Sequence, residues 1–138
     1  MLKKLLSPNL IDRKVNVSLF ILRAGVALVM IPHGYQKLIH FSEKAPEFMN
    51  FMGLGGEISL AMLIFAELSC AFLVLIGLFT RFACIPLVIA MSVALCKAHN
   101  CEIFGDGQTA FIYLISFIAV FIAGPGKYSM DTFLSAKK

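Results

Sequence analysis

The sequence predicts an all-α integral membrane protein, a four-helix bundle with a short interfacial helix between the first and second helices. Hydrophobic residues fill 59% of the 138 positions and mean hydropathy is +0.88, well above a soluble globular domain. Charged residues make up only 14% and gather at the ends and in two short loops, so no solvated face exists. Four apolar segments lie between those charges, about residues 17–39, 58–79, 82–98 and 109–124. None alternates as a closed barrel requires, so backbone groups in hydrocarbon must pair within helices. The length suits one transmembrane domain over 1–138.

The first span follows Lys3, Lys4, Arg13 and Lys14, as a signal peptide would. It is too long for one, contains Arg23 and lacks a small-residue cleavage site, and so reads as retained. After it, Ala45 to Gly53 reads as the interfacial helix: Pro46 suits the first turn, Glu47 the positive end of the dipole and Gly53 the stop. Phe48, Phe51 and Met52 are then expected to dip into lipid. The second and third spans are joined by a tight turn at Thr80 and Arg81. The fourth ends at Gly124-Pro125-Gly126, and Asp131 is placed to cap a short terminal helix of Thr132 to Ser135.

Lys and Arg are unevenly shared between the two sides of this topology. The N-terminal tail has four, the inner turn has Arg81, and the C-terminal tail has Lys127, Lys137 and Lys138, against Lys37, Lys44 and Lys97 opposite. The positive-inside rule places both termini in the cytoplasm and the protein in the cytoplasmic (inner) membrane. Tyr35, Tyr113 and Tyr128 fall near helix ends, where amphipathic rings favour the interface. The net charge of +4 comes without a basic face interleaved with aromatics, so the expected partner is the lipid bilayer and not nucleic acid.

Within the first helix, Arg23, Ala27, Met30, Gly34 and Lys37 advance by alternate steps of four and three and share one face. Ala27 and Gly34 admit a close neighbour, so this face should point into the bundle. An Arg at mid-bilayer costs about 2.5–3.5 kcal/mol on insertion scales and calls for a partner. Glu67, flanked by the small residues Ala66, Ser69 and Cys70, lies about 18 Å from the cytoplasmic boundary, between Arg23 at about 9 Å and His33 at about 24 Å. Either could reach it. In the third helix Ala90, Ala94 and Ala98 make a small-residue face that carries Lys97 and His99 to the depth of His33, so a polar pocket should open on the outer side. The competing interpretation makes Arg23 and Glu67 a structural pair and lets Lys37, Lys97 and His99 snorkel.

Leu22-Arg-Ala-Gly-Val-Ala-Leu28, Pro32-His-Gly-Tyr-Gln-Lys37, Ala66-Glu67, Leu75-Ile-Gly-Leu-Phe-Thr-Arg81, Ala98-His99 and Gly124-Pro-Gly-Lys-Tyr-Ser-Met-Asp131 together resemble the DoxX/DoxD family of small four-helix membrane proteins. Their order and spacing carry the resemblance, which covers about residues 17–133. It implies an oxidoreductase subunit of the cytoplasmic membrane. DoxD-type members are associated with electron transfer from thiosulfate to quinone, DoxX-type members with a membrane oxidoreductase complex in thiol stress. Related eukaryotic membrane proteins act as assembly or trafficking factors, which implies the alternative of a non-enzymatic scaffold that docks a partner.

The chain has no Gly-rich nucleotide loop, haem-attachment motif or four-Cys cluster, so covalently bound cofactors are not expected and flavin or iron–sulfur chemistry would come from a partner redox protein. A quinone fits the polar stripe. Glu67 and His33 are the candidate catalytic groups, supplying protons and hydrogen bonds; Arg23, Lys37 and His99 are the candidate substrate-binding groups, stabilising charge on a quinone oxygen. His33 and His99 also raise haem ligation, but two histidines are an unspecific signal, and no metal site is read from His99 and Cys101. Cys70 and Cys84 read as small core hydrophobes. Cys96 and Cys101 fall on the outer side, where a redox dithiol, a structural disulfide or two free thiols all remain open. A carrier would need a homodimer, since four short helices leave little room for alternating access.

Overall fold

The computed structural model describes residues 8–137, with side chains from Asp12 onward; Lys3, Lys4 and Lys138 of the charge count lie outside the described residues. The described chain is helical throughout its ordered elements. Helix α1 runs Pro8–Ile39, α2 is the four-residue Phe41–Lys44, and a 3₁₀ turn follows over Ala45–Glu47. Then come α3 (Gly56–Ile76), α4 (Thr80–Ala98), α5 (Gln108–Ala123) and the short α6 (Met130–Ser135).

Helices α1, α3 and α4 are long and apolar enough to cross a membrane, and α5 is a shorter apolar helix of 16 residues packed most extensively on α4. α1 is already helical at Pro8, well before Val17, so the helix extends past the expected span into the basic flank. The predicted inward face of α1 is the observed one: Arg23, Ala27 and Met30 are all at most 1% exposed. They pack with Val74, Leu87, Phe117 and Val120, each fully buried, to form the centre of the bundle. Cys70 and Cys84 belong to the same core as free thiols.

The interfacial helix is displaced from its predicted position. The helical stretch is Phe41–Glu47, and Phe48 turns extended (ψ 147°). Ala45 is the cause: it is buried against Leu60 and Ile64, and its carbonyl oxygen sits where any Cβ on Gly56 would lie. The chain must therefore reverse at once to start α3. It does so through Met52 and Gly53 at φ 54° and 78°, with Ser59 Oγ accepting from Phe51 N (2.9 Å) and donating to Gly55 O (2.6 Å). Phe48 and Phe51 consequently turn inward and only Met52, 81% exposed, reaches out.

α3 stops at Ile76, short of the predicted Phe79. Gly77 takes the left-handed conformation (φ 74°), and Gly77 N and Leu78 N both bond Leu73 O at 2.9 and 3.0 Å, closing the last turn as a Schellman stop. Gly124, at φ 84°, ends α5 as the sequence indicates. Asp131 does not cap the terminal helix. Ser129 does, its Oγ accepting from Thr132 N at 3.2 Å. Asp131 instead caps α4, accepting from Phe79 N (2.7 Å), Thr80 N (3.0 Å) and Thr80 Oγ1 (3.0 Å). The first-turn donors of α4 need an acceptor and Thr80 is fully buried, so the carboxylate reaches across from the C-terminal segment.

Candidate functional site

Gly34 fixes the site. A Cβ there would lie 2.9 Å from Leu68 N and 3.0 Å from the Glu67 carbonyl carbon, so only glycine lets α1 approach α3 this closely. Lys37, one turn further along the same face, then reaches Glu67: Nζ and Oε2 are 2.5 Å apart, with the side chains 24% and 4% exposed. Glu67 lies in a π-helical stretch of α3, Phe65–Cys70, whose wider turn is a frequent feature of functional helices.

This pairing corrects the expected partners. Arg23 is bound elsewhere: its Nη1 donates to Val74 O (2.9 Å) and Leu75 O (3.1 Å), and its Nη2 to Tyr128 O (2.6 Å). Val74 O and Leu75 O belong to the C-terminal end of α3, where the dipole is negative, and Tyr128 O to the segment between α5 and α6. Because Arg23 rather than Val17 is level with the end of α3, the true register sits about one turn above the one drawn from span boundaries. His33 does not meet Glu67 either. It turns to α5, its ring edge-on to Tyr113 with centroids 6.0 Å apart, and Tyr113 in turn stacks with Phe117 at 6.4 Å.

Glu67 and Lys37 border a groove of about 500 Å³ between α1, α3 and α4. Ala90, Ala94 and Ala98 form its α4 wall, as their spacing predicted, and His99 closes that wall at the loop end. Phe48, Met49 and Phe51 cover the same end from the α2–α3 connection, whereas from the sequence Phe48 and Phe51 are expected in lipid. The run Phe48-Met-Asn-Phe-Met52 is apolar in either role and does not distinguish them. Met62, Phe65 and Ile89, each about half exposed at 47%, 57% and 50%, form the rim on the lipid side. Of the five predicted catalytic and substrate-binding residues, the groove gathers Glu67, Lys37 and His99, and leaves out Arg23 and His33.

Beside His99 the last turn of α4 is again π-helical, over Ala94–Ala98, and Cys96 is disulfide-bonded to Cys101 with Cα atoms 4.3 Å apart. The ring thus closed contains Lys97, Ala98, His99 and Asn100. Cys101 N donates to Leu95 O at 2.9 Å and Glu102 N to His99 O at 2.8 Å, tying the ring to the helix end.

The arrangement can do three things. The Lys37 ammonium can donate to a carbonyl oxygen brought against it, Glu67 can hold or release a proton, and the apolar walls can take a ring and tail entering from lipid. Together with the bundle these features define a small helical membrane protein with a lipid-facing groove and a partly buried ion pair. The chain belongs to the DoxX family, whose model matches residues 18–100. That range contains the whole groove and ends before the Gly124 to Asp131 motif. A Mycobacterium tuberculosis protein, described as an uncharacterized membrane protein, is 28% identical over 145 aligned positions that cover 94% of this chain and 89% of that one. No solved structure matches the chain.

Proposed function

We propose that this protein is a membrane oxidoreductase subunit that binds a quinone in the groove. One observation carries the reading: a partly buried Lys37–Glu67 pair is the charged feature of a mostly apolar cavity of about 500 Å³ whose rim faces lipid. A quinone has that shape, with carbonyl oxygens to accept from Lys37 and a ring and isoprenoid tail for the apolar walls. As the quinone is reduced, the ammonium stabilises charge growing on oxygen and Glu67 passes a proton. His99 lines the same groove and serves as the second proton group.

The orientation proposed is that of the positive-inside rule, with both termini cytoplasmic and 1–138 acting as one transmembrane domain. The N-terminal part of α1 and the C-terminal segment meet at one end of the bundle, where Lys127 N donates to Asn16 Oδ1 at 2.8 Å. The His99 end of the groove then faces the outer side.

Mass spectrometry of the organic extract of protein purified in mild detergent tests the reading. Wild type is expected to retain a quinone near one per chain, and Glu67→Gln and Lys37→Met to lose it. The scaffold alternative draws on Arg23, a buried cation that holds α1, α3 and the C-terminal segment together without touching the groove. It is favoured if no sample retains quinone and one partner protein co-purifies equally with wild type and Glu67→Gln.

A further inference from the structure

We propose that Cys96 and Cys101 are a redox-active dithiol that delivers electrons to the quinone in the groove, making the protein a thiol oxidase driven by quinone. The proposal rests on the quinone reading above and adds the electron donor.

The disulfide and the groove share residues. Ala98 and His99 lie inside the ring closed by Cys96 and Cys101 and both line the groove. Cys96 itself does not line the groove, but it is two residues from Ala98, which does, and it is bonded to Cys101, two residues beyond His99. Both bonded cysteines are exposed, which lets a thiol from outside reach them, whereas Cys70 and Cys84 are 3% and 0% exposed and closed to exchange. Lys97 and His99, both inside the ring, put a cation and an imidazole in the same closed segment. The ring backbone adds a mechanical link. Asn100 and Cys101 sit in the left-handed region at φ 47° and 59°, a conformation L-residues rarely adopt and a reduced ring is free to leave. His99 is the groove residue that moves with it.

The electrons balance without any further group. In the reduced form each sulfur carries a hydrogen. The S–S bond forms as the pair gives up two electrons and two protons, and the bound quinone takes up both to leave as quinol. His99 accepts protons at the sulfurs, and the Lys37–Glu67 pair passes protons to the quinone oxygens. Exchange with an external dithiol then reopens the disulfide and leaves that substrate oxidised.

The test uses the full chain in detergent, reduced, desalted and mixed anaerobically with decylubiquinone, whose fully substituted ring blocks thiol addition. Intact mass and peptide mapping report disulfide formation, absorbance reports quinol, and retained quinone is measured separately on every sample. Wild type should form one Cys96–Cys101 disulfide per quinol, and Cys96→Ser and Cys101→Ser should form neither. Two groove-narrowing variants, Ala94→Phe and Ile89→Trp, should slow the reaction by about tenfold or more. Ile89 is half exposed on the rim, so its variant leaves the core intact. Quinone that binds without oxidising the dithiol, or oxidation equally fast in both narrowed variants, overturns the dithiol proposal and leaves quinone binding standing. Absence of bound quinone from wild type overturns both.

Discussion

Two inward-facing cations show how a charge in a membrane helix acquires its role. Arg23, buried, ends on three carbonyls and ties the bundle, while Lys37, partly buried, ends on a carboxylate and becomes half of the candidate site. Both lie on the face that the four-and-three spacing identifies, so their inward direction was legible in the sequence. Their partners were not, because a helix boundary misplaced by a few residues shifts every cross-helix pairing by a turn. The pair makes a prediction at this scale. Lys37→Met leaves the Glu67 carboxylate buried without a cation and should lower stability by about 3 kcal/mol. In Lys37→Met/Glu67→Leu most of that loss should be recovered, as apolar replacements of buried pairs allow, while quinone retention stays absent. Reversible unfolding in detergent followed by circular dichroism decides it, and a double variant as unstable as the single one refutes it.

Each helix end is set by a residue the sequence displays, yet the acceptor that completes it can come from far along the chain. Gly77 and Gly124 stop α3 and α5 through their own left-handed backbone, a local property that reads directly from the sequence. Asp131 could be recognised as a cap, but its helix could not, since 51 residues separate it from Thr80. Asp131→Ala should therefore destabilise α4 and cost about 1 kcal/mol, with Asp131→Asn losing less because it keeps an acceptor oxygen. The shift in thermal midpoint in detergent measures both. Equal effects from Asp131→Ala and Ser129→Ala would argue that only the short α6 is being capped. The π-helical stretches at Phe65–Cys70 and Ala94–Ala98 both border the groove and had no signature in hydropathy, which does not register one extra residue in a turn.

For the whole molecule, the proposed orientation can be checked on intact cells. A membrane-impermeant maleimide should label Cys96 and Cys101 from outside after mild reduction, and should label a Lys127→Cys variant only after permeabilisation; the reverse pattern would invert the topology. Composition and hydropathy by themselves determined that the chain is a helical membrane bundle, because backbone in hydrocarbon must pair within a helix or a closed barrel and no segment alternates as a barrel requires. The order of its motifs determined its family. Periodicity determined which face of α1 turns inward, because 3.6 residues per turn is a local rule. Tertiary structure alone decided that Lys37 and not Arg23 or His33 meets Glu67, that Phe48 and Phe51 cover a groove, and that two residues of the Cys96–Cys101 ring, Ala98 and His99, line it. Those outcomes depend on relative height and rotation between helices, which close contacts such as Gly34 on Leu68 set in space and no stretch of sequence records.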